Sequence, residues 1–451
     1  MKTTRQSWIR FPSIAALLLF WGVACGTPDD RSGPSGGGDE RARNSSSPGT
    51  SETIAEGPSP GLPAADTAAG VRPGIDVLLA DSIHLVVGRR VGLVTNHTGI
   101  DAAGVASVDR LHDQPEIELV ALYSPEHGIR GTAEAGVLVD HSRDEATGLP
   151  VHSLYGETRK PTSAMLEGVE VLLFDIQDIG TRYYTYIYTM GLAMEAAGEA
   201  GIPFVVLDRP NPVDGVQVQG NVLDPAYASF VGVYPLPMRH GMTPGELARL
   251  YRSSGWVEAE LVVVPGVGWR RDALFPQTGL PWLPPSPNMP DLESALHYPG
   301  TCLFEGTNLS VGRGTARAFQ QIGAPWLDGS RLAERMRAHD LPGVDFEAVR
   351  FTPSNPGDGK FGGEEVGGVR LRVTDPHLYD PTVTGVALLV ESHRLAGERW
   401  SWRTEHFDRL AGTDALRLGI VAGFGVEAIT SGWAEELEAF RVLREAALIY
   451  P

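Results

Sequence analysis

The sequence predicts an α/β protein, a Rossmann-like doubly wound parallel sheet domain followed by a smaller C-terminal α/β domain. Three observations carry this. Four near-continuous apolar runs of strand length recur at Val91–Thr95, Glu118–Tyr123, Val169–Phe174 and Pro203–Leu207. Runs apolar on both faces belong to parallel sheets covered by helices on each side. Between them lie helical patterns, such as Tyr186 to Ala200, rich in Ala, Met and Glu and stopped by Gly201. After about Pro299 the texture changes. A Gly-rich loop (Glu305 to Thr315) leads to a helix near Gly329 to His339, strand candidates Phe346–Arg350 and Val366–Val373, and two more helical stretches.

The chain before this fold reads differently. Lys2, Arg5 and Arg10 precede a short apolar run, Ile14 to Trp21, then Gly22-Val23-Ala24 and Cys25. Residues 1–25 thus form an export signal, too short to span a bilayer, with Cys25 placed as the lipidated residue of a lipobox. Residues 26–72 are Gly, Pro, Ser, Ala and acidic residues, which bury too little apolar area to offset their ordering entropy. They predict a disordered tether. The protein is expected to leave the cytoplasm and to meet a membrane only through a lipid anchor, with Gly26 favouring the outer membrane. The Rossmann-like domain is expected over 73–299 and the smaller ancillary domain over 300–451.

Composition narrows the function. A net charge of −19 opposes nucleic-acid binding, which needs a basic surface. Only Cys25 and Cys302 are present, so a thiolate zinc or iron–sulfur site is excluded, and Cys302 reads as a small buried residue. No Gly-x-Gly-x-x-Gly follows the first strand, and Gly306 to Thr315 lacks the lysine of a phosphate loop. No cofactor is expected.

In open parallel sheets ligands bind beyond the carboxyl ends of the strands. The four strands end in Asn96-His97-Thr98-Gly99, Ser124-Pro125-Glu126-His127-Gly128, Asp175-Ile176-Gln177-Asp178 and Asp208-Arg209-Pro210-Asn211. One such aspartate would be an ordinary helix cap. Three carboxylate-bearing loops at one sheet edge predict a cleft in which mutual repulsion raises at least one pKa. A protonated carboxyl beside an ionised one is the equipment of glycoside hydrolysis. Tyr183, Tyr184, Tyr186 and Tyr188 follow directly and offer faces for a sugar ring or for the core.

At these motifs the sequence resembles the NamZ-type exo-β-N-acetylmuramidases. The resemblance rests on Gly92–Gly99, Ser124–Gly131, Ser153–Gly156 with Thr158–Pro161, Phe174–Tyr186, Leu207–Pro212, Arg239–Thr243, Gly306–Ser310 with Gly312–Thr315, and Phe407–Gly412. It implies a Rossmann-like domain, a smaller ancillary domain and a cleft between them. It also implies removal of N-acetylmuramic acid from non-reducing ends of peptidoglycan fragments, with Glu126 as the catalytic glutamate.

Glu126 is accordingly expected as general acid. Asp175 and Asp178 lead for the second carboxylate, either acting directly or orienting the substrate's 2-acetamido group, and Asp208 follows. The lactyl carboxylate of muramic acid calls for a fixed guanidinium. Arg182, Arg209 and Arg313 are the expected candidates. Asn96, His127, Gln177, Tyr183, Asn211, His240, Glu305 and Asn308 complete the expected substrate-binding set. Two rival readings remain. One is a metal-dependent hydrolase using His97, His127 and His240 with the aspartates, although no His-Glu-x-x-His cluster occurs. The other is a lipoprotein that captures muropeptides without cutting them.

Overall fold

The computed structural model describes residues 70–129 and 141–451. The export signal, Cys25 and nearly all of the tether lie outside these residues. The end of the tether reading shifts: Val71 is buried, and Val71 and Arg72 donate their amides to Thr278 and Val267. The fold therefore engages the chain before Pro73.

The strands in chain order are β1 (Arg90–Thr95), β2 (Glu118–Ser124), β3 (Ser142–Arg143), β4 (Pro150–Ser153), β5 (Val171–Asp175), β6 (Phe204–Leu207), β7 (Gln219–Val222), β8 (Pro237–Arg239), β9 (Leu261–Val264), β10 (Gln321–Ala324), β11 (Val344–Phe351) and β12 (Val366–Val373). Seven form a sheet ordered β3-β4-β2-β1-β5-β6-β9, parallel except for the edge strand β3. From β1 the chain winds one way to β2 and later the other way through β5 and β6. The switch point therefore lies between β1 and β5, where such sheets open a crevice.

The helices are α1 (Gly74–Asp81), α2 (Ser107–His112), α3 (Tyr186–Ala200), α4 (Pro244–Ser253), α5 (Leu292–Thr301), α6 (Gly329–Arg337), α7 (Pro381–Ala396), α8 (Thr404–Ala411), α9 (Ala415–Val421), α10 (Val426–Thr430) and α11 (Trp433–Glu445). The α3 bounds match the sequence pattern, with Gly201 at φ 66° closing the last turn. The alternation of strand side chains sorts the core. Val91, Leu93, Val171, Leu173, Val205 and Leu207 join the cluster with Ile75, Leu78, Val108 and Leu111 from α1 and α2. Val94, Leu172, Phe174, Phe204 and Val206 join the opposite cluster, with Ile187, Met190 and Met194 of α3 and Leu247 of α4. Helices thus cover both faces, as the apolar strands require.

The second cluster runs on into the C-terminal half, through Leu296, Phe304, Ile322, Phe346, Val369 and Leu388. There β10, β12 and β11 make a three-stranded antiparallel sheet. Pro299, the expected point of division, falls inside α5, which packs tightly on α7. A Cβ at Gly300 would sit 1.9 Å from the Pro381 carbonyl oxygen. Five helices, not two, follow β12.

Candidate active site

The carboxyl ends of β2, β1, β5 and β6, neighbours in that order, place the four polar loops side by side. After β2, Pro125 is followed by His127 at φ 71° and Gly128 at φ 76°. Histidine tolerates this left-handed region better than most residues, and the turn presents the half-buried Glu126 carboxyl. Thr185 Oγ1 donates to Glu126 Oε2 at 3.0 Å. The Tyr155 hydroxyl also hydrogen-bonds Glu126. Burial, then Glu126, pushes that phenol up to about 12.

Tyr184 and Tyr186 lie next to this glutamate. Their rings meet edge to face with centroids 5.1 Å apart, and Tyr184 meets Tyr298 of α5 the same way at 5.7 Å. Burial raises the Tyr184 hydroxyl far above its usual range, Tyr186, Glu126 and Asp178 add to this, and Arg313 opposes it. Glu126, Asp178 and Arg313 therefore all lie within electrostatic reach of one phenol. The tyrosine row belongs largely to the core: Tyr183, Tyr186 and Tyr188 are buried, Tyr183 donates to the Pro299 carbonyl, and Tyr186 donates to that of Pro285 at 2.6 Å. Tyr183 is placed as packing rather than as a sugar platform.

The expected carboxyls divide sharply. Asp175 is fully buried and gripped by Arg209, Nε to Oδ1 at 2.5 Å and Nη2 to Oδ2 at 3.0 Å, with Ser107 donating to Oδ2. Asp208 caps α4: Gly245 N donates at 2.7 Å, Thr243 Oγ1 at 2.7 Å and the Tyr450 hydroxyl at 2.6 Å. Burial still lifts it to about 6. Asp178 differs. Its Oδ2 accepts from Gly180 N at 2.6 Å, while its buried Oδ1 has no partner. Burial pushes it up to about 7. His240 Nε2 stands 3.7 Å from Asp178 Oδ2, too far for a hydrogen bond, and burial drives the imidazole down to about 3. Both are therefore neutral together in mildly acidic solution, and the contact is no ion pair.

The expected cations are all engaged. Arg182, fully buried, donates to the carbonyls of Asn221, Leu236, Leu410 and Ala411. Arg209 is held by Asp175 and the Ile100 carbonyl. Arg313 pairs with Glu305 at 2.6 Å. The amides are similarly spoken for. Gln177 bridges the Asp178 and Pro210 carbonyls, Asn211 donates to Met242, and Asn308 ties Arg399 and Ser401. Asn96 accepts from Thr98 on Oδ1 and turns its side chain toward the Tyr186 hydroxyl. His127 is buried behind the Glu126 turn.

Of the expected set, the structure brings Glu126, Asp178 and Arg313 within electrostatic reach of the Tyr184 hydroxyl, with His240 beside Asp178, Asn96 beside Tyr186 and Glu305 on Arg313; Asn308 lies with another loop. Thr185 and Tyr155 lie inside the Phe174–Tyr186 and Ser153–Gly156 motifs but are not among the expected site residues. Tyr155 follows β4, the next strand beyond β2, and extending the strand-end reading by one strand finds it. A small cavity lined by Thr98, Gln177 and Arg209 with Phe275 and Trp282 lies behind the strand ends. Two open grooves lie between residues 221–225 and the C-terminal helices; Glu126 lines none of these three. Among the described residues, no three His, Cys, Asp or Glu side chains are grouped closely enough to hold a metal ion.

A doubly wound sheet whose strand ends carry a half-buried glutamate and a buried aspartate with a raised pKa belongs to the α/β class and offers carboxyls suited to hydrolytic chemistry. The comparisons make the family plain. Residues 91–293 match "Exo-beta-N-acetylmuramidase NamZ, N-terminal", and residues 296–450 match the C-terminal counterpart. The peptidoglycan β-N-acetylmuramidase NamZ of Bacillus subtilis (strain 168) is 48% identical over 381 residues, 84% of this chain and 91% of that protein. Crystal structures of two DUF1343-family proteins from Bacteroides fragilis NCTC 9343 superpose with TM-scores of 0.79 and 0.69 at 36% and 31% identity. They cover 84% and 85% of this chain, and 99% of each of theirs. The chain belongs to the NamZ exo-β-N-acetylmuramidase family and is a glycoside hydrolase.

Proposed function

We propose that this hydrolase releases N-acetylmuramic acid from the non-reducing ends of peptidoglycan fragments, with Glu126 as general acid to the departing oxygen. The observation that carries the assignment is the Glu126 carboxyl itself, half-buried at the β2 end and hydrogen-bonded by Thr185 and Tyr155. Asp178 serves as the second carboxyl, because Asp175 and Asp208 are spent on Arg209 and on the α4 cap. Its unpartnered Oδ1 suits the substrate's acetamido group. Incubation with a muramyl-GlcNAc disaccharide tests the reading. Free sugars are expected from the wild type, and Glu126→Gln, which keeps shape and removes acidity, should lower turnover by two orders of magnitude or more, about the usual contribution of a general acid. Near-normal turnover by that variant sinks the assignment.

From the basic, apolar and small-residue stretches of residues 1–25 we further propose that the enzyme works outside the cytoplasm, anchored through a lipid on Cys25. Cys25→Ala is expected to move the protein from the membrane fraction to the soluble fraction. An unchanged distribution excludes the anchor.

A further inference from the structure

Muramic acid differs from glucosamine by a lactyl ether on C3, whose carboxylate is the one charge that marks this sugar. A site selective for it needs a cation held one pyranose ring away from the acid that works at C1. Arg182, Arg209 and Arg313 have their guanidinium groups committed to carbonyls or carboxylates. Arg159 does not.

Arg159 is exposed, and its guanidinium carbon lies 4.1 Å from the Phe230 ring centroid and 5.2 Å from that of Tyr155. Stacking on aromatic faces fixes the plane of a guanidinium while leaving its N–H edge open, the geometry that receives a carboxylate with two parallel hydrogen bonds. The Tyr155 ring beneath it carries the hydroxyl bonded to Glu126. One tyrosine therefore links the proposed acid to an ordered cation. Among the described residues no carboxylate pairs with Arg159, whereas its neighbour Lys160 is neutralised by Glu195 at 3.1 Å and Glu199 at 2.7 Å.

We propose that Arg159, resting over the Phe230 and Tyr155 rings, binds the lactyl carboxylate of the terminal muramic acid and so sets the enzyme's preference for muramyl over glucosaminyl ends. This rests on the sugar-hydrolase reading above, but it is tested by binding and does not need turnover. Full-length wild type, Arg159→Leu and Arg159→Lys are titrated calorimetrically with N-acetylmuramic acid, its lactyl methyl ester and N-acetylglucosamine. Wild type is expected to bind the free acid about tenfold or more tightly than either neutral sugar, the span of one charge-assisted contact. Arg159→Leu should bind all three alike, and Arg159→Lys, which keeps the charge but loses the fork, should fall between. Thermal unfolding confirms that each variant is folded. Retained preference in Arg159→Leu, or none in the wild type, overturns the proposal. A wild type that discriminates through Arg159 while Glu126→Gln still turns over condemns the acid assignment and leaves this one standing.

Discussion

Asp175 and Arg209, from the adjacent ends of β5 and β6, close a two-pronged ion pair that is almost wholly shielded from water, at 0% and 3% side-chain exposure. Such a pair is costly to break from one side, because the surviving charge stays buried. Arg209→Leu is expected to destabilise the fold by about 3–5 kcal/mol, measured by denaturant unfolding. If stability is unchanged while activity is lost, Asp175 belongs to the reaction rather than to the frame.

The bracing of Glu126 makes a different demand. Thr185→Val and Tyr155→Phe each delete one hydroxyl against its carboxyl with little change of shape. Each should lower kcat about tenfold, the equivalent of one hydrogen bond, with smaller effects on KM. Steady-state kinetics on a muramyl substrate checks this. A rise in KM alone would instead assign both groups to uniform substrate binding.

The strands carrying the site were legible because β1, β2, β5 and β6 are buried on both faces and spell themselves as apolar runs. The strand β4 was not: Pro150-Val-His-Ser153 is short and half polar, so Tyr155 behind it stands in the Ser153–Gly156 motif without a strand end to mark it as a site residue. The helices α9 and α10 span 7 and 5 residues, too few turns to display a period. At the site, sequence located the loops but could not divide their labour. Asp175, Asp178 and Asp208 stand at equivalent strand ends, and only the partners brought in from elsewhere, Arg209, Tyr450 and Thr243, decide which carboxyl is spent. Arg182 illustrates the same point. It sits in a strand-end motif, yet it holds together the β7–β8 hairpin and the last turn of α8, residues far away in sequence.

The neutral pair of Asp178 and His240 gives the enzyme a pH signature with opposing parts. Burial raises Asp178 from 3.8 to about 7, so its stabilising contribution is complete below about pH 4 and is lost as pH climbs through 7. Burial lowers His240 from 6.5 to about 3, so its contribution is complete above pH 6.5 and is lost as pH falls toward 3. The two slopes nearly cancel in the wild type, and substitution exposes each. Asp178→Asn keeps an acceptor for Gly180 and removes the ionisation. Relative to wild type it should gain stability steadily from pH 4 to 7 and level off above, by on the order of a few kcal/mol. His240→Gln should instead gain as pH falls from 6.5. Chemical denaturation of the three proteins at pH 4.5, about 6 and 8 measures both trends, since the window is bounded by these two groups. Turnover separates structure from chemistry: if Asp178 is the second carboxyl, Asp178→Asn is the more stable protein at pH 8 and the poorer enzyme throughout. A variant that gains the stability and keeps full activity removes Asp178 from the reaction.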